Sequence, residues 1–469
     1  MDRVVIRMSI RPEVDGVLDS ADSRSRIAPL HSMRPEQSLA VAREVLSELG
    51  AVRGVDCFSF PNAGVWRIET LSFQASKITD VILRRPETAI FPVFARFGDH
   101  HLTGEAICEL SDGTPAITIE DEVLKFGFDP FSMHLSNLNE GFRNSRTSGL
   151  KQSALITYCS MPPLLRRGLR WIARRYKMSG IRSLKNLGLL GVSSNVLIHL
   201  LERHLLQKGL IGKQNRSPLA IITHDVDTDF CQTEGREMVL SIEIDEEVHA
   251  TWFFVPKSVH YSLDRRGVRS LIEEGHEIGM HGFSHDGRLA LDNPAKLTKQ
   301  LRKGKRILES TGAKVVSFRS PWTLRSALLL RTLASEGFKV DSSYPDLDTL
   351  GMTGGLRGLS YNRPFRPLFA ENKSLLEPLP LWEVPMTCPQ DVQMVEDLRL
   401  AASDLLRIWN YKAEFCKDFG GAFVLDTHPV HMTKHLDEYA EILKTLKKRG
   451  FMMLRMDGLA DELQSSISS

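Results

Sequence analysis

From Pro218 onward, short apolar runs alternate with longer stretches of helical periodicity, and few folds accept that pattern. The runs fall at 219–222, 251–255, 277–280, 315–318, 383–385, 423–425 and 452–454. Between most of them lie helix-like segments at 233–248, 265–274, 294–310, 324–336, 395–417 and 434–448. A strand followed by a helix that returns to the next strand builds a parallel sheet, either open or closed into a barrel. The C-terminal half, 216–469, is therefore expected to be an α/β domain.

The polar residues along those runs carry the functional information. The first run ends in Thr223-His224-Asp225-Val226-Asp227, the third in His281-Gly282-Phe283-Ser284-His285, the fourth in Arg319-Ser320-Pro321-Trp322, and a later one in Asp426-Thr427-His428-Pro429. Each cluster stands at the C-terminal end of a strand, where parallel sheets and barrels assemble their ligand sites. A lone Asp after a strand is usually a helix N-cap, and a lone His usually makes an ordinary hydrogen bond. Four such clusters at matching strand ends point instead to one convergent site. Asp227, His281 and His285 supply one carboxylate and two imidazoles. Three protein ligands leave positions open for water and substrate, the pattern of a catalytic metal site. A bound Zn²⁺ brings the pKa of its water from about 15.7 to about 7, making hydroxide about 12 kcal/mol easier to form. An amide needs help of that size.

The motifs, taken in order, resemble those of the polysaccharide deacetylase family, the NodB-homology domains of carbohydrate esterase family 4. That family's T-F-D-D-G is similar to Thr223–Asp227, its H-[S/T]-x-x-H to His281–His285, and its R-x-P-[F/Y] to Arg319–Trp322. Its fourth motif, beginning with Asp, resembles Asp341-Ser342-Ser343, and its L-x-H resembles the end of Leu425-Asp426-Thr427-His428. The resemblance covers about 218–460 and implies a distorted parallel (β/α) barrel of the NodB-homology type. It implies that Asp225 is the general base, that Arg319 pairs with it, that His428 is the general acid, and that Asp341 orients His428. Trp322 would offer a backbone N–H to the oxyanion and an aromatic wall to a sugar ring. The implied reaction is metal-dependent hydrolysis of an N-acetyl group on an acetamido sugar of a glycan or glycan precursor. Zinc is the first expectation for the metal, with Co²⁺, Ni²⁺ and Fe²⁺ suited to the same donors.

The sequence departs from the family in three places, one being the fourth motif, where Asp341 is not followed by the family's Trp at the expected place although Tyr344 is close. Val226 stands where the family's main form has its metal Asp, so the ligand is assigned to Asp227, as in a D-x-D variant. In an extended strand, Asp225 and Asp227 share a side. Gly282 replaces the usual Ser or Thr. Three rival readings stay open: the same machinery acting on a non-sugar C–N bond, a non-haem iron oxygenase using the same two-His-one-carboxylate set, and a non-catalytic carbohydrate-binding or scaffold protein. His431 and His435 read as exposed helix-start residues, His100 and His101 as a loop pair, and Asp286 as either a loop cap or a partner to a metal ligand.

The N-terminal half offers no chemistry of this kind. Residues 1–35 read as irregular, 36–150 as a small α+β domain with a helix over 35–50 and strands within 65–124, and 151–215 as a helical basic connector. Near 163–176 an amphipathic helix carries cations on one side. It suits a solvated face packing on the next domain, or weak contact with an anionic membrane or a protein partner. A second helix is expected over 193–209. The formal net charge of +2 does not favour nucleic acid as a partner. The six cysteines include no C-x-x-C pair, which suits free thiols in a reducing compartment. No apolar segment reads as a secretory leader or a transmembrane span, so a cytoplasmic location is expected.

Overall fold

In the computed structural model of the chain, the described residues are 217–258, 261–346, 361–369 and 377–468. In the N-terminal half they are 6–7, 58–59, 66–72, 90–97, 103–110, 115–120, 123–126, 134, 138 and 193–207. The helix expected over 35–50, the basic amphipathic stretch near 163–176 and the pair His100–His101 lie outside them. The chain divides into two compact units, one formed by 1–144, 191–216 and 368–378, the other by 145–190, 217–367 and 379–469.

In the first unit, β1 (Ile6–Arg7) pairs with β2 (Phe58–Ser59) in parallel. An antiparallel sheet follows, built from β3 (Trp66–Ser72), β4 (Ile90–Phe97), β5 (Glu105–Leu110), β6 (Pro115–Glu120) and β7 (Val123–Phe126) in the order β4-β3-β5-β6-β7. Helix α1 (Ser193–Gln207) matches the helix expected from Ser193.

The second unit starts at β8 (Leu219–Val226), followed by α2 (Asp229–Gln232) and α3 (Glu234–Asp245). Next come β9 (Thr251–Phe254), α4 (Arg265–Glu273), β10 (Glu277–His281), α5 (Pro294–Glu309), β11 (Ser317–Arg319), α6 (Ala327–Ser335) and β12 (Val340–Asp341). The antiparallel pair β13 (Leu368–Phe369) and β14 (Glu377–Pro378) falls within the first unit. The second unit resumes with β15 (Trp382–Glu383), α7 (Ala402–Phe419), β16 (Ala422–Thr427), α8 (Pro429–Met432), α9 (Leu436–Lys448), β17 (Met452–Leu454) and α10 (Met456–Ser468). Side-chain caps define several helix starts. Asp264 accepts from the Arg266 and Gly267 amides, Asn293 from Lys296 N ahead of Pro294, and Ser326 from Leu329 N.

The strands form a parallel sheet in the order β15-β12-β11-β10-β9-β8-β16, with β17 also paired to β8. Its two ends meet where Thr387 N donates to Val424 O (3.0 Å) and Val424 N donates to Thr387 Oγ1 (2.9 Å). The expected distorted barrel is therefore present. Alternation sorts its side chains. Ile221, Phe253, Val340, Trp382, Val384, Ala422 and Val424 form a core with Met456, Leu459 and Ala460 of α10, which fills the barrel floor. Gly279 lets the Phe253 ring into this narrow space, since a Cβ there would lie 2.5 Å from the ring. Two elements differ from expectation. The helix expected over 233–248 is α3, and a short helix not foreseen, α2, precedes it across Thr233, whose backbone angles are non-helical. The two-residue β12 was not foreseen, being too short to show alternation.

Glu277 opens β10 on the barrel floor, accepting from Ser317 Oγ (2.5 Å), Thr251 Oγ1 (2.8 Å) and Asp457 N (2.9 Å). Burial, and then the nearby Asp457, push its carboxyl from 4.5 up to about 7. The native state therefore holds this proton more tightly than the unfolded chain. The associated stability is complete below about pH 4.5 and is lost as pH rises to about 7. Glu277→Gln should remove that dependence. Between those limits its Tm should gain on the wild type, by the equivalent of roughly 3 kcal/mol at about 1.36 kcal/mol per pH unit. Parallel Tm–pH curves for the two proteins would contradict this origin.

Candidate active site

Interior positions at the C-terminal ends of the strands are polar. Asp225 of β8, His281 of β10, Arg319 of β11 and Asp426 of β16 converge there, all buried. Arg319 Nη1 lies 3.1 Å from Asp225 Oδ1 and 2.6 Å from Asp426 Oδ1, and it donates to Thr223 Oγ1 at 2.8 Å. Its Nε donates to Ser342 O and its Nη2 to Ser342 Oγ, while the guanidinium stacks 4.4 Å over the Phe253 ring. Burial pushes Asp426 up to about 6 against the pull of Arg319, and Gln390 Nε2 donates to its other oxygen.

Just beyond β8, Asp227 Oδ1 lies 3.3 Å from His281 Nε2 and 3.0 Å from His285 Nε2. Burial opposes ionisation of Asp227, but the two imidazoles hold its carboxyl well below the usual range. His281 Nδ1 is 3.1 Å from Arg319 O, an acceptor only, so Nδ1 carries a proton and Nε2 is the nitrogen left facing Asp227. One ligand atom from each of the three residues lies within 4.8 Å of the others, and among the described residues no other such group of His, Cys, Asp and Glu occurs. Asp227 Oδ1 is buried without a hydrogen-bond donor of good geometry, facing two imidazole nitrogens. This donor set fits a divalent metal with open positions.

His428 follows β16. Its Nδ1 lies 2.8 Å from Asp391 Oδ1 and its backbone N donates to Asp391 Oδ2, which leaves Nε2 facing Asp227 Oδ2 at 3.6 Å. Burial opposes the imidazolium, yet Asp391 holds its pKa well above the ordinary value. The expected partner of His428 was Asp341, and the structure corrects this. Asp341 pairs in register with Phe318 rather than Arg319, so its side chain leaves the barrel on the opposite face from Ser342. It meets Ser343 and Glu383 instead. Asp391 had the same signal as the four clusters that were recognised, since Thr387-Cys388-Pro389-Gln390-Asp391 is a polar stretch shortly after a strand. The run at 383–385 marked the strand, but Asp391 stands several residues past its end, so the stretch was not grouped with the strand-end clusters.

Other positions resolve as follows. His431 is buried rather than exposed, its ring 5.7 Å from that of His428 and its Nε2 3.8 Å from Glu396. Asp286 caps its own loop, accepting from Arg288 N. Val226 lies on the face opposite Asp225, and its carbonyl accepts from Tyr261 Oη. Trp322 stands edge-on to His285 with ring centroids 6.1 Å apart. Trp322 and Thr323 have φ of 58° and 55°, and left-handed non-glycine residues cost about 1–3 kcal/mol each. Gly282 has φ of +62°, and a Cβ there would lie 2.6 Å from Pro321 Cδ and Cγ.

Comparison with known proteins finds similarity in the C-terminal half. Residues 212–340 match the family model described as polysaccharide deacetylase. A peptidoglycan deacetylase of Helicobacter pylori is 29% identical over 94 residues, 20% of this chain and 31% of its own length. A Bacillus subtilis protein described as "Putative polysaccharide deacetylase" is 28% identical over 139 residues, 29% of this chain and 47% of its own length. The chain thus spans less than half the length of either relative. A crystal structure of a Mycobacterium smegmatis protein of the same description shares 19% identity at a TM-score of 0.43, covering 54% of this chain and 93% of that one.

Gly282→Ala would combine left-handed strain with the clash against Pro321. The expected loss is about 1–3 kcal/mol of unfolding free energy, read from denaturant midpoints at unchanged m-value. An unaltered midpoint would mean that Pro321 moves aside freely.

Proposed function

We propose that the C-terminal unit removes the N-acetyl group from an acetamido sugar of a polysaccharide or glycan precursor, using a divalent metal held by Asp227, His281 and His285. One observation carries this reading. The three ligands lie between two acid–base units of opposite role, Asp225 with Arg319 and His428 with Asp391. The sugar substrate is supported by the family match and by the descriptions of the relatives. When bound, the metal supplies a Lewis acid that acidifies water and polarises an amide carbonyl, and Zn²⁺, Co²⁺, Ni²⁺ and Fe²⁺ all suit these donors.

The residues divide the remaining work. Asp225 accepts the proton of the attacking water, and Arg319 fixes the direction of its carboxylate. His428 delivers the Nε2 proton to the nitrogen of the breaking C–N bond, while Asp391 on Nδ1 fixes the tautomer and supports the charge. The products are acetate and a free amine. The backbone N–H of Trp322 is assigned to the oxyanion and its indole to the sugar ring.

Acetate release from N-acetylglucosamine oligomers, measured with metal analysis of the same samples, tests these roles. Asp225→Asn should keep the metal and lose turnover by about 10²–10⁴-fold. Asp227→Ala should lose the metal itself. Full turnover in Asp225→Asn would remove it as the base. Asp391→Asn should retain metal and substrate affinity while kcat falls by about 10²-fold or more. If only KM rises, Asp391 has a binding role instead.

A further inference from the structure

Behind the site, on the outer face of the barrel, two acids lie side by side. Asp341 of β12 and Glu383 of β15 are register partners, and both are fully buried. Asp341 Oδ1 accepts from Ser343 Oγ (2.5 Å), and Glu383 Oε1 accepts from Tyr344 N (3.1 Å). The remaining oxygens, Asp341 Oδ2 and Glu383 Oε2, have no donor among the described residues, so a hydrogen bond between the two carboxyls requires a shared proton. Burial raises both carboxyls, Glu383 furthest, which is consistent with that proton being retained. The positive charge of Arg325 opposes the rise at each acid.

Two connections lead from this cluster to the turn carrying Trp322. Ser343 Oγ, held by Asp341, accepts from Ser320 N (2.9 Å). Arg325, stacked 4.2 Å over the Tyr344 ring, donates to Thr323 O (2.8 Å). The turn is thereby held on both sides of its left-handed residues, Trp322 and Thr323. Buried acids that served stability alone could be exchanged for an apolar pair of similar volume. Here two polar links, from Ser343 to Ser320 N and from Arg325 to Thr323 O, end on the main chain of one strained turn.

We propose that Glu383, acting through Asp341 and together with Arg325, is a positioning residue that locks the 320–323 turn and so sets Trp322 against His285. This inference rests on the deacetylase reading for its catalytic consequence but not for its structural one. Glu383→Ala should accelerate amide hydrogen exchange in the 318–326 peptide at least tenfold. It should also lower kcat by about an order of magnitude at unchanged metal content and KM. Glu383→Gln can donate to Asp341 and still accept from Tyr344 N, so it should restore exchange and kcat to within about threefold of wild type. Arg325→Met, which leaves the acid pair in place, should reproduce the fast exchange. Wild-type exchange in Glu383→Ala would overturn the proposal, as would equal defects in the Gln and Ala variants. Fast exchange in Glu383→Ala with no acetate release from the wild type would sink the deacetylase reading and leave the lock standing.

Discussion

A single buried guanidinium organises the upper half of this barrel. Arg319 is fully enclosed, and an unpaired charge in that position would cost several kcal/mol. Its hydrogen bonds run to Thr223 and Asp225 on β8, Ser342 beside β12 and Asp426 on β16. One side chain thus spans strands distant in sequence, and their relative heights follow from its fixed fork. The same residue acts through its backbone. Its carbonyl meets His281 Nδ1 and also accepts from Gly282 N, so the tautomer of a histidine proposed to hold the metal depends on where Arg319 sits. Asp225 and His281, the proposed base and one proposed ligand, are oriented by one residue that is neither.

The outline of this arrangement was readable in the sequence because it rests on short-range pattern. Buried parallel strands leave apolar runs, and strand ends bearing Asp, His or Arg interrupt them. What could not be read was register. Asp341 sits in the right order among the motifs, but its side of the sheet is fixed by pairing with Phe318 across a two-residue strand. A displacement by one position reverses every side chain, so Asp341 went to the outer face and the partner of His428 came from Asp391, beyond β15. His431 escaped for a related reason. The short α8 turns it back toward His428 and Glu396, which a helix-start pattern cannot reveal.

Two of the departures from the parent motifs acquire physical explanations. Val226 occupies a position whose side chain faces away from the ligand space, so a carboxylate there would need a different exit from β8. In this chain the carboxylate proposed to hold the metal stands one residue on, on the side shared with Asp225. Gly282 is demanded by its left-handed backbone and by Pro321, which fills the space a side chain would need. The loop carrying His285 and the turn carrying Trp322 are packed main chain to ring. Gly287 makes the same concession to the Trp322 indole, where a Cβ would approach to 2.7 Å.

The floor provided by α10 imposes an order on biosynthesis. When His428 is added, every group assigned to chemistry has been synthesised, yet Met456, Leu459 and Ala460, which pack beneath Ile221, Phe253 and Val424, have still to be made. At about 5–20 residues per second that interval is a matter of seconds. A barrel lacking α10 and β17 would leave those apolar residues uncovered and β8 without one of its partners, features that invite aggregation or capture by a chaperone. Only once α10 is in place is the apolar floor covered, so completion of the site depends on a helix made after every residue assigned to its chemistry.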